Sequence, residues 1–139
     1  MSNIKILSEK VFLHNDDCYN YAHDLVNRYK MSDGDVALDD DDFDFVLSNS
    51  DVVKMMELEY SGDEISQDDY KDSFNKYNVK KAKNILIFIY GDPRLVNVNS
   101  TVECTNTLVE ITEGANIIYG AKMDSKVDKN VRVVLVCGS

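Results

Sequence analysis

The sequence predicts an α/β fold in which helices pack on one face of a mixed four-stranded sheet, as a two-layer sandwich. Two patterns predict this. In four segments the apolar residues recur every three or four positions, which is the period of an amphipathic helix. Four other segments are rich in the β-branched and aromatic residues that favour strands. The order of the predicted elements is α-α-β-α-β-α-β-β, an alternation that indicates helices layered on a sheet.

The first two predicted elements are helices. Residues 15–30 form the first, because their apolar side chains recur at helical spacing. Residues 39–50 form the second, which places Phe43, Val46 and Leu47 on one side and begins with acidic residues, as helix N-termini often do. Each of these helices therefore has an apolar face to bury.

Four segments are predicted as strands, at 52–60, 84–90, 115–123 and 131–137. The second of them contains a continuous apolar run, which is typical of a strand covered on both faces. The polar residues 124–130 separate the last two strands and predict that these form an antiparallel hairpin.

Two further helices are predicted between the strands, at 66–77 and 100–113. In the second, Ser100 and Glu103 have the spacing of a capping box. Gly114 follows at the position where a helix C-terminus favours a left-handed residue.

Length and composition limit the class of protein. The chain has 139 residues, which fits one domain, and its 44% of hydrophobic residues exclude wholesale disorder. The longest apolar run is far shorter than the roughly 20 residues of a membrane helix, and we expect no secretory signal. Three cysteines without a CxxC motif predict neither a disulfide framework nor a zinc site, and they suit the reducing cytoplasm.

The formal net charge is −10, which argues against nucleic acid or an anionic membrane as a partner. Residues 1–78 contain 19 acidic and 7 basic side chains, whereas residues 79–139 contain 6 and 8. The acidic half indicates either a basic partner surface or simple solubility.

The glycines are too far apart to form a phosphate-binding loop. No two of them are closer than six residues, so neither GxGxxG nor GxxxxGK[ST] occurs. Such loops need closely spaced glycines so that successive backbone N–H groups can approach the anion. The sequence therefore predicts no nucleotide-binding residues in this chain.

An acidic run over residues 39–42, followed by Asp44, is the feature that most needs an explanation. It does not fit a calcium loop, because no glycine stands at the sixth place, and we predict no metal site. If Asp39 caps a helix, the next acids lie in its first turn, where each gains about 0.3–1 kcal/mol from the helix dipole. Four adjacent carboxylates also repel one another, so helix capping alone does not account for the run.

Several segments resemble a known family: Asp16-Asp17 with Asp24-Leu25-Val26, Val36-Ala37-Leu38-Asp39-Asp40-Asp41-Asp42-Phe43, Met55-Met56, Ala82-Lys83-Asn84-Ile85-Leu86-Ile87-Phe88-Ile89-Tyr90-Gly91, Gly114-Ala115-Asn116-Ile117-Ile118-Tyr119-Gly120-Ala121 and Val131-Arg132-Val133. In this order and spacing they resemble the C-terminal domain of FtsZ, the tubulin-like cell-division GTPase. The second segment stands where that family has its catalytic loop, usually Ile-Asn-x-Asp-x-x-Asp-Val.

The resemblance implies an FtsZ/tubulin C-terminal-domain-like fold and an organisation for the single domain 1–139. Its parts are an N-terminal arm (1–14), a remnant of the family's central helix (15–30), a catalytic-type loop (31–44) and the sandwich itself (45–139). The family's GTP-binding half would precede residue 1. Without that half, we expect the helix at 15–30 either to fold back on the sheet or to pair with a second copy.

The resemblance also implies a site. In FtsZ-like filaments, GTP is bound by one subunit and contacted by the loop of the next, whose two carboxylates orient the attacking water. Asp39 and Asp42 match those carboxylates and would act in trans, with GTP and magnesium present only through a partner subunit. The family's loop asparagine is Ala37 here. Asp40, Asp41 and Asp44 add negative charge opposite an anionic ligand, which weighs against efficient catalysis.

Three functions remain open at this point. The chain is a cytoplasmic FtsZ-like domain that contacts the nucleotide face of an FtsZ- or tubulin-like subunit and caps or modulates filaments. Alternatively it is half of a working GTPase, supplying Asp39 and Asp42 to hydrolysis between subunits. A third reading is a repurposed acidic domain that binds other proteins. Alone, it is not expected to be an enzyme.

Overall fold

Five strands and four α-helices are found in residues 3–13, 18–29, 31–48 and 50–139, which the computed structural model describes. The strands are β1 (Asn3–Leu13), β2 (Val52–Ser61), β3 (Asn84–Gly91), β4 (Asn116–Met123) and β5 (Asn130–Gly138). The helices are α1 (Cys18–Tyr29), α2 (Asp40–Ser48), α3 (Gln67–Lys76) and α4 (Val98–Thr112), and a 3₁₀ helix, Met31–Asp33, follows α1. Residues 14–17, where the predicted arm ends and the first predicted helix begins, lie outside the described residues.

The strands form one mixed sheet in the order β1-β2-β5-β3-β4. β2 is antiparallel to both β1 and β5, β5 is antiparallel to β3, and β3 and β4 are parallel. The predicted mixed α/β sheet is therefore confirmed. The four predicted strands begin and end within one residue of the observed ones.

The sheet has five strands rather than four, because the segment predicted as an arm forms β1 at its edge. Ile4 and Ile6 of β1 pack against one core cluster, whereas Phe12 belongs to the core on the opposite face. A bulge at Leu7 shifts the register between them. The bulge interrupts the period-two pattern by which a strand is recognised, and this is why the sequence did not predict β1.

The predicted hairpin of the last two strands is wrong. β4 pairs with β3, and β5 lies on the other side of β3. Val133 and Leu135 of β5 are buried in one core cluster, and Val134 and Val136 are buried in the other. A strand with apolar side chains on both faces is best covered at the centre of a sheet, so β5 lies between β2 and β3 rather than at an edge.

Helices cover both faces of the sheet, which corrects the predicted two layers to three. α3 and α4 pack on one face, as predicted, over a cluster that contains Ile85, Ile87 and Leu108. α1 and α2 pack on the opposite face, against Leu86 and Phe88 of β3. The physical reason is that β3 is apolar on both faces, so the face opposite α3 and α4 needs its own cover. Of the two alternatives expected for the first helix, the structure shows folding back on the sheet.

The ends of α4 differ from the prediction. Its N-cap is Asn97, which accepts a hydrogen bond from the Ser100 N–H (3.0 Å), and the Ser100 side chain accepts one from the Asn97 N–H (2.9 Å). The predicted capping box of Ser100 with Glu103 is therefore wrong by one turn. The left-handed residue at the C-cap is Glu113 (φ 61°), and Gly114 after it also has a positive φ of 108°. Among the described residues, no helix combines the length and the apolar character needed to span a membrane.

Candidate functional site

The loop between α1 and α2 runs along the outer edge of β4 and is hydrogen-bonded to it. Val36 and Ala121 form a two-way backbone bridge, with Val36 N–H donating to Ala121 O (2.9 Å) and Ala121 N–H to Val36 O (3.0 Å). The Asp35 carboxylate accepts a further bond from the Met123 N–H (2.7 Å). The loop is thus fixed to the sheet at three hydrogen bonds, and it covers part of an edge strand.

Two glycines permit this close approach. A Cβ at Gly120 would lie 2.7 Å from both the Leu38 Cγ and the Val36 O, and one at Gly34 would lie 2.9 Å from the Ala121 O. These distances are shorter than real Cβ contacts, so larger residues would push the loop away from β4. Leu38, which ends the loop, is buried in the core beneath it. Gly120 belongs to a segment that carries the family resemblance, and the structure gives it this packing role.

Asp39 and Asp42, the two predicted site residues, cap the N-terminus of α2 in a reciprocal arrangement. The Asp42 N–H donates to the Asp39 Oδ1 (3.0 Å), and the Asp39 N–H donates to the Asp42 Oδ2 (2.9 Å). This is the geometry of a capping box, with aspartate in place of serine and glutamate. Each carboxylate commits one oxygen to the cap, and the cap fixes both side chains beside each other at the surface end of α2.

The other acidic side chains surround this cap. Asp40, Asp41 and Asp44 are exposed, and we refer to residues 39–44 as the acidic tip. Desolvation, and then the negative charges of Asp44, Asp40 and Asp41, raise the pKa of the Tyr19 phenol on α1. The tip therefore projects a negative potential onto its neighbours as well as into solvent.

The acidic tip is held in place by the apolar side of its own helix. Phe43, Val46 and Leu47 are buried in the core cluster that also contains Met55 of β2 and Val136 of β5. Together with the loop on β4, this packing anchors the tip at both its ends. The segment that carries the acidic side chains is therefore held on the sheet domain.

A second polar feature was missed by the sequence analysis: a buried carboxylate on β2. Glu57 is only 2% exposed and accepts hydrogen bonds from the Ser8 Oγ (3.1 Å), the Arg28 guanidinium and the Tyr29 phenol. The phenol's burial, and then its bond to Glu57, raise the pKa of Tyr29. The available signal was that Glu57 and Glu59 continue, at strand period, the face that begins with Val53 and Met55.

A cleft of about 350 Å³ opens next to this carboxylate, and six side chains line it: Arg28, Tyr29, Tyr90, Lys122, Asp124 and Arg132. Arg28 is paired with Glu57, and the Arg132 Nε lies 3.4 Å from a Glu59 carboxylate oxygen. The arginines of the cleft therefore neutralise glutamates of β2, and the cleft is explained as part of the packing of α1 on the sheet.

The described residues contain no group of three or more histidine, cysteine, aspartate or glutamate side chains arranged to hold a metal ion. In the acidic tip, Asp39 and Asp42 each turn an oxygen toward a backbone N–H. What the tip offers chemically is a dense, preformed anionic surface at a helix N-terminus.

Comparison with known proteins gives a match to solved structures alone. No protein-family model and no curated protein matches the chain. An FtsZ W319Y mutant from M. jannaschii is 22% identical with a TM-score of 0.65, over 87% of this chain and 40% of that one. An empty FtsZ dimer from M. jannaschii is 19% identical with a TM-score of 0.59, over 87% and 38%. GDP-bound CetZ1 from Haloferax volcanii is 15% identical with a TM-score of 0.54, over 87% and 39%.

These matches confirm the resemblance inferred from the sequence at the level of the fold. The chain has the α/β architecture of the FtsZ/tubulin C-terminal domain. It spans about 40% of the length of the solved structures that it matches.

Proposed function

We propose that this chain is an FtsZ-like domain that contacts the nucleotide-bearing face of an FtsZ- or tubulin-like GTPase subunit and caps or attenuates its filaments. The observation that carries the proposal is the acidic tip, in which Asp39, Asp40, Asp41 and Asp44 are exposed while the apolar side of α2 and the loop on β4 anchor it. It begins at Asp39, in the segment that resembles the loop by which one FtsZ subunit contacts the nucleotide of the next. The partner supplies GTP and magnesium, and this chain binds neither by itself.

Attenuation rather than catalysis follows from the composition of the loop. Ala37 is exposed and has no side-chain amide to donate to a nucleotide. Asp40, Asp41 and Asp44 would face phosphates of the same charge, and a repulsion of about 1 kcal/mol per pair at 4 Å in water grows as an interface excludes solvent. A filament end covered by this domain would lose a properly equipped neighbour, so its GTP would be hydrolysed more slowly.

A second candidate function is that of a half-enzyme, and one observation favours it. The cap uses one oxygen of Asp39 and one of Asp42, and each carboxylate has a second oxygen. Phosphoanhydride hydrolysis depends mainly on positioning and electrostatics, so a carboxylate pair of fixed geometry could orient a water once a partner holds the phosphates and the cation. In that case Asp39 and Asp42 act in trans.

The deciding experiment adds the chain to an intact FtsZ from the same cell and measures phosphate release and polymer sedimentation. We expect turnover and sedimented polymer to fall as the chain approaches equimolar ratio. Sustained or raised turnover would instead support the half-enzyme. No change at several-fold excess would refute the filament contact and leave a repurposed acidic interaction domain.

The matched control is the double variant Asp39→Asn with Asp42→Asn. Asparagine keeps a side-chain oxygen for each capping bond but removes both charges, so the fold and the shape of the tip are retained. If the acidic tip makes the contact, this variant loses the effect on FtsZ while its unfolding temperature stays near that of the parent. A second variant, Ala37→Asn, restores the family's amide and raises turnover only if the tip reaches the nucleotide.

Isolated chain should give no heat with GTP or GDP plus magnesium in calorimetry, because the sequence contains no glycine-rich phosphate loop. Saturable binding at micromolar nucleotide would contradict the proposal that the partner, and not this chain, binds the GTP.

A further inference from the structure

One long edge of the sheet has no partner within the described residues. β1 is 11 residues long, stands first in the strand order and pairs only with β2 in that part of the chain. An edge strand presents a row of backbone N–H and C=O groups that can pair with another strand, and proteins normally protect such edges. The bulge at Leu7 protects the centre of β1 but leaves the segment 9–13 regular.

The backbone groups that point outward can be identified from the ladder. Val52 and Ser139 exchange hydrogen bonds in both directions (2.9 and 3.2 Å), so the polar backbone groups of Val52 face β5. In an antiparallel sheet the direction alternates along a strand, so those of Val53 face β1 and bond its partner Phe12. The N–H and C=O of Val11 and Leu13 therefore point away from the sheet.

The side chains of the same two residues are the most exposed large apolar groups of β1. Val11 is 55% exposed and Leu13 is 58% exposed. As residues two apart in a regular segment, they lie on one face of the strand. Outward-pointing backbone groups, with no partner among the described residues, and exposed apolar side chains thus coincide at one end of the edge.

We propose that this end of β1 binds a second copy of the chain, with residues 9–13 of the two copies paired antiparallel about a two-fold axis at Val11. This register places Val11 opposite Val11 of the second copy and Leu13 opposite its Glu9. On the other face it places Lys10 opposite Phe12. The Lys10 ammonium already lies 5.3 Å from the centre of the Phe12 ring in its own chain, so the pair is chemically compatible across the interface.

The alternative registers are less favourable. A two-fold axis at Glu9 or Lys10 sets like charges directly opposite each other, which destabilises a strand pair. An axis at Phe12 pairs only residues 11–13 within the described strand. Within the regular segment 9–13, the Val11 register gives the longest pairing without opposed like charges.

Self-pairing of this kind produces a closed dimer. A two-fold interface uses the same segment from both copies, so residues 9–13 are no longer available for pairing with a further chain. Two chains with a formal charge of −10 each also repel one another over long range. Because salt screens that repulsion while the interface itself is mostly apolar and backbone, the dimer should become stronger as salt increases from about 0.05 to about 0.5 M.

The test measures mass and register together. Sedimentation velocity of the full chain should show a shift from 15.8 kDa toward twice that mass with increasing concentration. Paired residues in an antiparallel ladder have Cα atoms about 5.5 Å apart, within disulfide range, so Val11→Cys should form a covalent dimer under mild oxidation. Leu13→Cys is the matched control, because its two copies would be about 14 Å apart in this register. The native cysteines are all buried.

Val11→Lys should return the protein to the monomer mass, since it sets two ammonium groups opposite each other. Val109→Lys, at a valine of α4 that is 42% exposed, should leave the dimer unchanged. A monomer at every concentration, or equal cross-linking of the Val11→Cys and Leu13→Cys variants, would overturn the proposal. FtsZ takes no part in this experiment, so its result is independent of the proposed function.

Discussion

Replacing Gly120 by alanine should push the loop that leads into the acidic tip away from β4. The new Cβ would lie 2.7 Å from the Leu38 Cγ, 2.7 Å from the Val36 O and 2.9 Å from the Phe88 Cδ1. The Leu38 side chain can rotate, but the Val36 oxygen is backbone and is held by its bond to Ala121, so the loop itself must move. Overpacking of a core costs about 1–3 kcal/mol, and we expect about 2 kcal/mol here.

The expected loss of stability is large enough to be measured by thermal unfolding. With an unfolding entropy of about 2.1 cal/mol/K per residue, a chain of this length loses about 7 °C in Tm for 2 kcal/mol. Thermal unfolding measures this loss, and amide exchange of Val36 and Ala121 tests its cause, because both amides should exchange faster in the variant. Lys122→Ala on the same strand is the control. An unchanged Tm, or a lower Tm with both amides still protected, would refute the packing role assigned to Gly120.

Three further outcomes are expected. Asp39→Ala should lower the free energy of unfolding, measured in urea, by about 1 kcal/mol. Asp39→Asn should change it by only about a few tenths of a kcal/mol, because asparagine also caps helices. Equal losses in the two variants would contradict a capping role for Asp39. Hydrogen bonds from Arg94 hold the pKa of the Asp92 carboxyl well below its ordinary value, so its stabilisation is present above about pH 4 and is lost as the pH falls toward the folded pKa. The difference in the free energy of unfolding between the parent and Asp92→Asn should accordingly be large at pH 7 and smaller at pH 3. A difference that does not change with pH would contradict the stabilisation attributed to the Asp92 carboxylate. Burial raises the pKa of the Cys104 thiol far above its usual range and that of the Cys137 thiol to about 12. A thiol reagent at pH 8 should therefore label these two cysteines only after unfolding. Rapid labelling of the folded chain would disprove their burial.

The sequence predicted most elements because their local signals agreed with the final packing. β3 was identified by its apolar run. The third helix was predicted to start at residue 66, and Ser66 does cap α3 and forms a capping box with Asp69. These features depend on neighbouring residues alone. Such signals are readable without knowledge of the rest of the chain.

Strand pairing could not be derived in the same way. β4 and β5 are joined by a short polar turn, which usually indicates a hairpin. However, β5 is buried on both faces, and for this reason it lies between β2 and β3 instead of pairing with β4. β1 was missed because the Leu7 bulge splits it into two runs of opposite phase, each too short to stand out. Both errors concern contacts between residues far apart in the sequence.

In the candidate site, too, features set by neighbouring residues were predicted, whereas those that depend on distant segments were not. Asp39 was considered as the cap of a helix, with the next acids in the first turn. The reciprocal bond from Asp42 was not foreseen, because a capping box is normally recognised by serine or threonine with glutamate. The anchoring of the loop on β4 depends on Gly34 and Gly120, whose importance is visible only once the two segments are side by side.

The central position of β5 has a consequence for how the molecule forms during synthesis. β1 can pair with β2, and β3 with β4, as soon as each has been made, yet these two pairs share no strand ladder. Among the described residues, the segment 130–138 alone hydrogen-bonds to both β2 and β3 and unites them. Until those nine residues leave the ribosome, a nascent chain has two incomplete half-sheets with open edges. Cooperative folding of this domain is therefore postponed until its final strand is available, and chaperone demand should be greatest immediately before that moment.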